Sequence, residues 1–183
     1  MCTPIGHSLA GGVVMTALPG RFRSKWIALL ILLVAANLPD IDLLFGAVKG
    51  NPNLYHHQWT HSVFFCMAAA LVLMMAMKRF SALDHGRLAL LLAGILLSHL
   101  LLDWLTKDTS MPYGQQLLWP FSQKYVSSAF TPLPDVYKSS ENLTFLRTLF
   151  SWHNLKTIAV ETAVFTPILA IALRLKKNDP ETQ

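Results

Sequence analysis

The chain has 183 residues, of which 53% are hydrophobic and 14% are charged, and its formal net charge is +5. This composition excludes a disordered chain, and a content of two cysteines excludes a disulfide-rich secreted scaffold. The length allows a single domain over residues 1–183. A small integral membrane protein remains. Because Lys and Arg collect at membrane boundaries, we do not expect the positive charge to bind nucleic acid.

Five apolar stretches predict an all-α, polytopic membrane helix bundle with four to five membrane helices. The first and weakest runs from Ile5 to Leu18, and its small residues suit close helix packing. We expect it to be retained rather than cleaved as a signal peptide, because the basic cluster follows the apolar stretch instead of preceding it. The four stronger stretches cover residues 26–48, 62–77, 88–105 and 158–173.

The four stronger stretches carry polar side chains that a membrane segment normally avoids. They reach the roughly 20 residues of a spanning helix only by including Asp40, Asp42, His99, Asp103 and Glu161. An ionisable residue inside a membrane costs a few kcal/mol on insertion scales and is a candidate functional residue. Glu161 is more simply a helix-packing or surface carboxylate. The other four belong to the motifs described below.

Basic residues predict the orientation of the bundle. They form three clusters: Arg21, Arg23 and Lys25; Lys78, Arg79 and Arg87; and Arg174, Lys176 and Lys177. With one crossing between the first cluster and residue 48, all three lie on the same side, which the positive-inside rule makes cytoplasmic. Residues 174–183 are then a cytoplasmic tail, and the segments 49–60 and 107–156 face the periplasm. The lipid bilayer is thus the first expected partner.

The long outer loop, residues 107–156, contains one further predicted helix. Leu143, Leu146, Leu149 and Phe150 follow Ser139 and Ser140 at helical spacing. This pattern is typical of a capped amphipathic helix that lies on a membrane surface.

Two motifs pair metal-ligating residue types near the outer ends of the crossings. His99 and Asp103 are four residues apart, so a helix presents both on one face, although a histidine satisfied near a helix end is the alternative interpretation. Asp40 and Asp42 flank a bend at Pro39 that can turn both carboxylates toward one site, and helix capping is the alternative.

A block of histidines precedes the second strong stretch. His56, His57 and His61 fall within six residues, and the packing of a helix start does not explain three histidines there. Neutral imidazole is the commonest protein ligand of zinc. His7, at the start of the N-terminal element, completes the set. The predicted orientation brings all these motifs to the outer face. His85 and His153 match no other ligand, and we expect them to be solvent or interface residues.

Together these residues predict a site for one to three divalent ions, zinc first and manganese second. The predicted metal ligands are His7, Asp40, Asp42, His56, His61, His99 and Asp103. An ion there lowers the pKa of bound water towards ~7, so hydrolysis is the natural chemistry. Asp42 is the predicted catalytic residue, as general base or bridging ligand. The alternative is that Asp42 only orients a ligating histidine.

The order of these motifs resembles the YdjM-type family of membrane-bound, metal-dependent hydrolases, small inner-membrane proteins of bacteria and archaea. The matching pieces are His7, the residues 38–42, the block 56–62, the residues 99–103 with Thr106, Tyr113-Gly114, and the residues 119–122. The second position of the histidine block is usually Arg in that family and is His57 here. The stretch between Thr106 and Tyr113 is longer than usual.

A more distant likeness connects the motif order with all-helical zinc-dependent phospholipases C and single-strand-specific zinc nucleases. It implies phosphodiester chemistry at a trinuclear zinc site, with phospholipid head groups or isoprenoid phosphates as substrates. The leading hypothesis is therefore a hydrolase of phosphoesters or phospholipid-like molecules in the bacterial inner membrane, with its site facing the periplasm. The alternatives are a metal transport or sensing protein and a structural membrane protein.

Overall fold

The computed structural model describes residues 1–17, 22–109 and 111–178. Its α-helices are α1 (Pro4–Ala17), α2 (Lys25–Asn37), α3 (Asp42–Val48), α4 (Val63–Met77), α5 (His85–Trp104), α6 (Asn142–Leu149) and α7 (Trp152–Lys177). These residues form no β-strand, so the predicted all-α class is confirmed. Leu18, Arg21 and the tail residues 179–183, which the sequence assigned to elements, lie outside the described residues.

Within the part of the chain that the structure describes, four helical segments are long and apolar enough to cross a membrane: Lys25–Val48, Val63–Phe80, His85–Trp104 and Trp152–Lys177. They coincide with the four stronger apolar stretches. The last segment begins six residues earlier than the predicted Ile158, because the Ser151 side chain accepts the backbone N–H of Asn154 and caps the helix. Its first turns contain polar residues, so a hydropathy pattern does not identify them as part of the helix. Residues 152–156 of the predicted outer loop are therefore helical.

Helix α5 is the centre of the bundle and packs against α1, α2 and α4. Leu88, Leu92, Ile95 and Leu96 on this helix are fully buried. Helices α4 and α7 instead leave large apolar side chains uncovered, for example Met75 at 67% and Ile171 at 58% exposure. An apolar outer surface of this kind is typical of helices that face lipid. The central helix is thus shielded, and it carries His99 and Asp103 into the interior.

The bundle has two chemically different ends. At one end the Arg23 N–H donates to the Phe80 carbonyl at 3.0 Å, joining the start of α2 to the segment after α4. Lys25, Leu83 and Lys176 line one cavity at this end. The described basic clusters therefore gather there. The predicted metal ligands lie at the opposite end.

The amphipathic helix predicted in the outer loop is α6. Its N-cap is Glu141 rather than Ser139 or Ser140, and the Ser139 hydroxyl accepts the Glu141 N–H at 3.1 Å. The side chain of Asn154 on α7 exchanges two hydrogen bonds with the backbone of Tyr137, at 2.7 and 2.8 Å. This pair of bonds fixes the segment before α6 against α7.

Candidate metal centre

All the predicted metal ligands come together in one cluster at a single end of the bundle. His7 lies on α1, Asp40 in the 3-10 turn Leu38–Ile41, Asp42 at the start of α3, His56 in the following loop, His61 in the turn Trp59–His61, and His99 with Asp103 on α5. Each is buried except Asp40, whose side chain is 11% exposed. The sequence motifs therefore converge in space as the orientation argument predicted.

Four ligand atoms form a compact cage at the centre of the cluster. His61 Nε2 and His99 Nε2 are 3.3 Å apart, and each lies 3.6 Å from Asp40 Oδ1 and 3.4 Å from Asp103 Oδ2. A tetrahedral ion with bonds of about 2.1 Å needs its ligand atoms about 3.4 Å apart. These separations therefore match a tetrahedral divalent ion. Asp40, His61, His99 and Asp103 could hold one.

Hydrogen bonds fix which ring nitrogen of each histidine faces the cage. The His99 Nδ1–H donates to the Ala36 carbonyl at 2.8 Å. His61 Nδ1 lies 3.1 Å from Asp42 Oδ2. Because a carbonyl or a carboxylate oxygen only accepts, Nδ1 carries a hydrogen in both rings, and Nε2 is the atom that can bind a metal ion. Both imidazoles are thus oriented as metal ligands, with the usual partner behind them.

Asp42 contacts the cluster from behind. Its Oδ1 lies 3.0 Å from His56 Nδ1, and its Oδ2 accepts the Thr60 hydroxyl at 2.6 Å as well as facing His61. Asp42 is fully buried. It thus touches two imidazoles on the side away from their Nε2 atoms. Asp42, Asp40 and His56 also lie close enough to share an ion, so the catalytic role of Asp42 stays a prediction.

His57 belongs to the cluster, although the sequence analysis did not include it among the ligands. Its Nε2 is 3.6 Å from Asp103 Oδ2 and its Nδ1 is 3.6 Å from Asp108 Oδ2. The backbone of His57 has a φ of 64°, an uncommon value for a residue other than glycine. His56, His57 and His61 form a second group that could hold an ion. The presence of three histidines in this block was the sequence signal that could have identified His57 as a member of the cluster.

Asp108 was also missed. The backbone N–H of Gly114 donates to Asp108 Oδ2 at 2.8 Å. Gly114 has a φ of 93°, and a Cβ there would lie 2.5 Å from the Val126 carbonyl oxygen, so the position requires glycine. The Tyr113-Gly114 motif thus positions the carboxylate that faces His57.

His7 adjoins the cage from α1. Its ring stacks on that of His99 with centroids 3.6 Å apart, and its Nε2 is 3.2 Å from Asp103 Oδ1. Asp103 therefore presents one oxygen to the cage and the other to His7. Oδ1 also accepts the backbone N–H of Cys2 at 2.7 Å, so Asp103 connects the cage with the start of the chain.

Several buried polar atoms of the cluster make no hydrogen bond to the residues that the structure describes. They are both oxygens of Asp40, Asp103 Oδ2, both ring nitrogens of His7, His56 Nε2 and His57 Nε2. Leaving such groups unpaired costs about 1–3 kcal/mol each, and more when the group is charged. A cation in the cage would pair the carboxylate oxygens. The donor set and its unpaired atoms therefore fit divalent metal.

The carboxylates around His61 favour a positive charge on its imidazole. Burial lowers the pKa of His61, but the neighbouring carboxylates, Asp42 first and then Asp103 and Asp40, outweigh burial and raise it well above its usual range. Burial and the neighbouring His57 lower the pKa of His56, which stays neutral and keeps a lone pair for a metal ion.

The remaining histidines lie apart from the cluster. His85 is exposed at the basic end, and His153 Nε2 contacts Asp135 Oδ1 at 3.1 Å with its side chain 49% exposed. Both positions agree with the expectation of solvent or interface residues.

Glu161 is fully buried, so the surface alternative for this residue is wrong. Its carboxylate accepts the Thr3 N–H at 3.0 Å, the Cys2 thiol at 3.0 Å and the Thr3 hydroxyl. Glu161 therefore joins the start of α1 to α7.

A polar cavity of about 520 Å³ opens beside the cage. Its lining includes His57, Asp103, Lys107, Asp108 and Tyr113. Such a volume lies in the range of small-molecule sites. The cavity therefore extends to the residue Asp103, whose own side chain is fully buried.

An apolar helix bundle with a buried His/Asp cage at one end defines a helical membrane protein with a site able to hold divalent metal. The chain belongs to the YdjM inner membrane protein family, whose model matches residues 1–178. This match confirms the resemblance found in the motifs. No curated protein and no solved structure gives a significant match.

Proposed function

We propose that the protein is a metal-dependent hydrolase of phosphoesters. The observation that carries the proposal is the cage of Asp40, His61, His99 and Asp103, whose edges match a tetrahedral ion. Two imidazoles and two carboxylates without a thiolate suit zinc first and manganese second. When bound, the ion supplies a Lewis acid that activates water and polarises a phosphoryl oxygen.

The surplus of ligands supports catalysis rather than a purely structural metal site. Four protein ligands by themselves would close the cage as in a structural zinc site, whereas a catalytic site keeps a position open, so the open position has to come from a further ion held by the surplus donors. Here His7, His56 and His57 surround the cage as additional donors, and Asp103 faces the cage with one oxygen and His7 with the other. The cluster therefore offers ligands for a second ion, and the polar cavity adjoins it.

In the proposed reaction the water oxygen bonds to phosphorus and the bond from phosphorus to the leaving oxygen breaks. The proton of the water ends on that leaving oxygen. Asp42 holds His56 and His61 by their Nδ1 atoms, so that their Nε2 atoms stay directed at the site. His57, Asp108 and Lys107 line the cavity through which the polar part of the substrate enters.

Metal transport fits the arrangement less well. A transporter binds its cargo near the middle of the membrane at broken helices, with an exit on either side. All the cage atoms lie at one end of the bundle, and the central part of α5 carries the fully buried apolar side chains of Leu92, Ile95 and Leu96. A purely structural role does not explain the unpaired carboxylate oxygens of Asp40.

The proposed location is the bacterial inner membrane, which the chain crosses several times with the metal cluster facing the periplasm. The gathering of the described residues of the three basic clusters at the opposite end supports this orientation through the positive-inside rule.

The decisive test joins metal analysis with a substrate panel. Protein purified without chelator is expected to hold at least one equivalent of zinc or manganese and to hydrolyse a phosphomonoester or phosphodiester. Asp40→Asn is expected to lose both properties, whereas His85→Ala keeps them. Protein that holds no metal, and binds none when zinc or manganese is added, would overturn the proposal.

A further inference from the structure

A second cavity lies on the other side of the cage. Its volume is about 300 Å³, and apolar side chains dominate its wall. They include Leu43, Val136, Phe145, Leu149 and Ile158. The cavity therefore runs between α3, α6 and the first part of α7. Its lining suits a hydrocarbon chain.

Two charged residues interrupt this apolar wall, and both bear on the metal cluster. Asp40 belongs to the cage and also lines the cavity, together with Lys138. The Lys138 ammonium contacts the sulfur of Met1 at 2.9 Å, and a thioether is only a weak acceptor. Among the described carboxylates none forms an ion pair with it within 4 Å. Burial lowers the pKa of Lys138, and the more distant carboxylates of Asp40 and Asp103 offset part of this effect. This cation is therefore available to an anionic group.

We propose that this cavity holds the hydrocarbon chain of a lipid-like phosphoester, and that Lys138 pairs with its phosphoryl group. This assignment of a substrate class rests on the proposed phosphoester hydrolysis. Asp40 faces the apolar cavity and Asp103 faces the polar one, so the cage lies between the two. A phosphoryl group at the cage would thus have an apolar space on one side and a polar space on the other.

The position of α6 explains how an amphiphile reaches the cavity. Phe145 and Leu149 of this helix line the cavity, whereas Leu143 and Leu146 point outward at 97% and 65% exposure. A short helix with apolar residues on its uncovered face lies at a membrane surface. Helix α6 therefore separates the cavity from the lipid.

The binding test uses dodecyl phosphate as the probe and inorganic phosphate as the comparison. The protein is exchanged from detergent into an amphipathic polymer, loaded with zinc, and titrated by calorimetry. Because each buried methylene adds about 0.8 kcal/mol, dodecyl phosphate is expected to bind at least roughly 100-fold more tightly than inorganic phosphate. Equal affinities would overturn the assignment of the cavity to a chain. Dodecyltrimethylammonium, which has the same chain but a positive head group, is expected to bind weakly.

Matched variants separate the chain from the head group. Leu149→Trp fills the cavity and is expected to weaken dodecyl phosphate but not inorganic phosphate, whereas Leu146→Trp on the outer face of α6 changes neither. Lys138→Met is expected to weaken both phosphates by about 10-fold or more, and Lys138→Arg to restore most of the affinity. Lys124→Met, an exposed lysine of the same loop, is the control. Tight binding of dodecyl phosphate unchanged by Leu149→Trp and Lys138→Met would show nonspecific partitioning and refute the proposal.

Activity measurements distinguish the proposed lipid-like substrate from the proposed phosphoester hydrolysis on which it rests. If the metal-loaded protein hydrolyses a soluble phosphoester but shows no preference for a chain, the lipid-like substrate fails and the hydrolase stands. If it binds dodecyl phosphate through Lys138 and Leu149 but hydrolyses no phosphoester, the hydrolase fails and the binding site stands.

Discussion

Asp42 and His61 are joined on the side of the imidazole that faces away from the metal cage. Asp42 Oδ2 lies 3.1 Å from His61 Nδ1, while His61 Nε2 lies 3.6 Å from Asp40 Oδ1 and 3.4 Å from Asp103 Oδ2. The carboxylate therefore fixes both the tautomer and the direction of the ring. Carboxylates behind a ligating histidine raise its basicity and are worth 10–100-fold in metal affinity or activity.

The first prediction concerns Asp42→Asn. We expect metal affinity to fall by about 10–100-fold, because the amide no longer holds His56 and His61 as a carboxylate does. Activity should recover in excess metal. The measurement is a metal titration followed by turnover at saturation.

The sequence-based role of Asp42 as general base predicts a different result. In that case the asparagine variant keeps its metal and loses turnover by several orders of magnitude at any metal concentration. Thr60→Val, which removes only the hydroxyl that donates to Asp42 at 2.6 Å, is the matched control, with a smaller effect on affinity.

The second prediction concerns the cage residues themselves. His61→Ala and Asp103→Ala each remove a ligand and are expected to abolish metal binding and activity. His85 and His153 lie outside the cluster, so His85→Ala and His153→Ala should keep metal binding and activity. Metal content by atomic emission and phosphoester turnover provide the readouts. Equal losses in all four variants would mean that the histidines act through stability.

The third prediction is that metal stabilises the folded protein. The buried carboxylates of Asp40 and Asp103 are unpaired toward the cage, so an ion removes an electrostatic cost. At a free metal concentration of 100 times Kd, the gain is about 2.7 kcal/mol. The unfolding temperature should rise when zinc is added and fall back to its metal-free value when a chelator is added. His99→Ala should show no shift, and a shift of normal size in that variant would place the ion elsewhere.

Local sequence patterns were sufficient to predict the apolar helices and most of the cluster. The spacing of His99 and Asp103 places both on one face of α5, and the basic residues sorted the histidines between the two ends of the bundle. The bend at Pro39 is a 3-10 turn that brings Asp40 to the cage, as its proline indicated. These features depend on short-range geometry and on charge, which a single sequence displays.

The missed residues depend on long-range packing. Lys138 lies in an irregular loop with no periodic pattern, and it lines the same cavity as Asp40 because Asn154 anchors that loop to α7. Asp108 faces His57 because Gly114 holds it from six residues further along the chain. The start of α7 was missed because its polar first turns are capped by Ser151 rather than marked by hydropathy.

The fourth prediction tests the packing of α1 on α7 through Gly6→Ala. An added Cβ would lie 2.5 Å from both Cys2 Sγ and Glu161 Oε2, which are buried. Overpacking of this kind costs typically 1–3 kcal/mol, which outweighs the gain of about 1 kcal/mol in helix propensity. The unfolding temperature should therefore fall. Gly86→Ala is the control, since its Cβ meets only Asp84 Oδ1 at 3.4 Å. An unchanged unfolding temperature for Gly6→Ala would contradict this close packing.

The fifth prediction concerns orientation in the membrane. Lys124 is exposed in the long loop at the metal end, and Ala82 is exposed beside the basic residues at the other end. Cys2 and Cys66 are both buried, so the unchanged chain provides a background with little labelling. A membrane-impermeant maleimide added to intact cells should label Lys124→Cys and leave Ala82→Cys unlabelled until the cells are opened. The reverse pattern would place the metal cluster in the cytoplasm. The positive-inside rule would then fail for all three basic clusters. Labelling of both variants in intact cells would show that the two ends do not lie on opposite sides of a membrane.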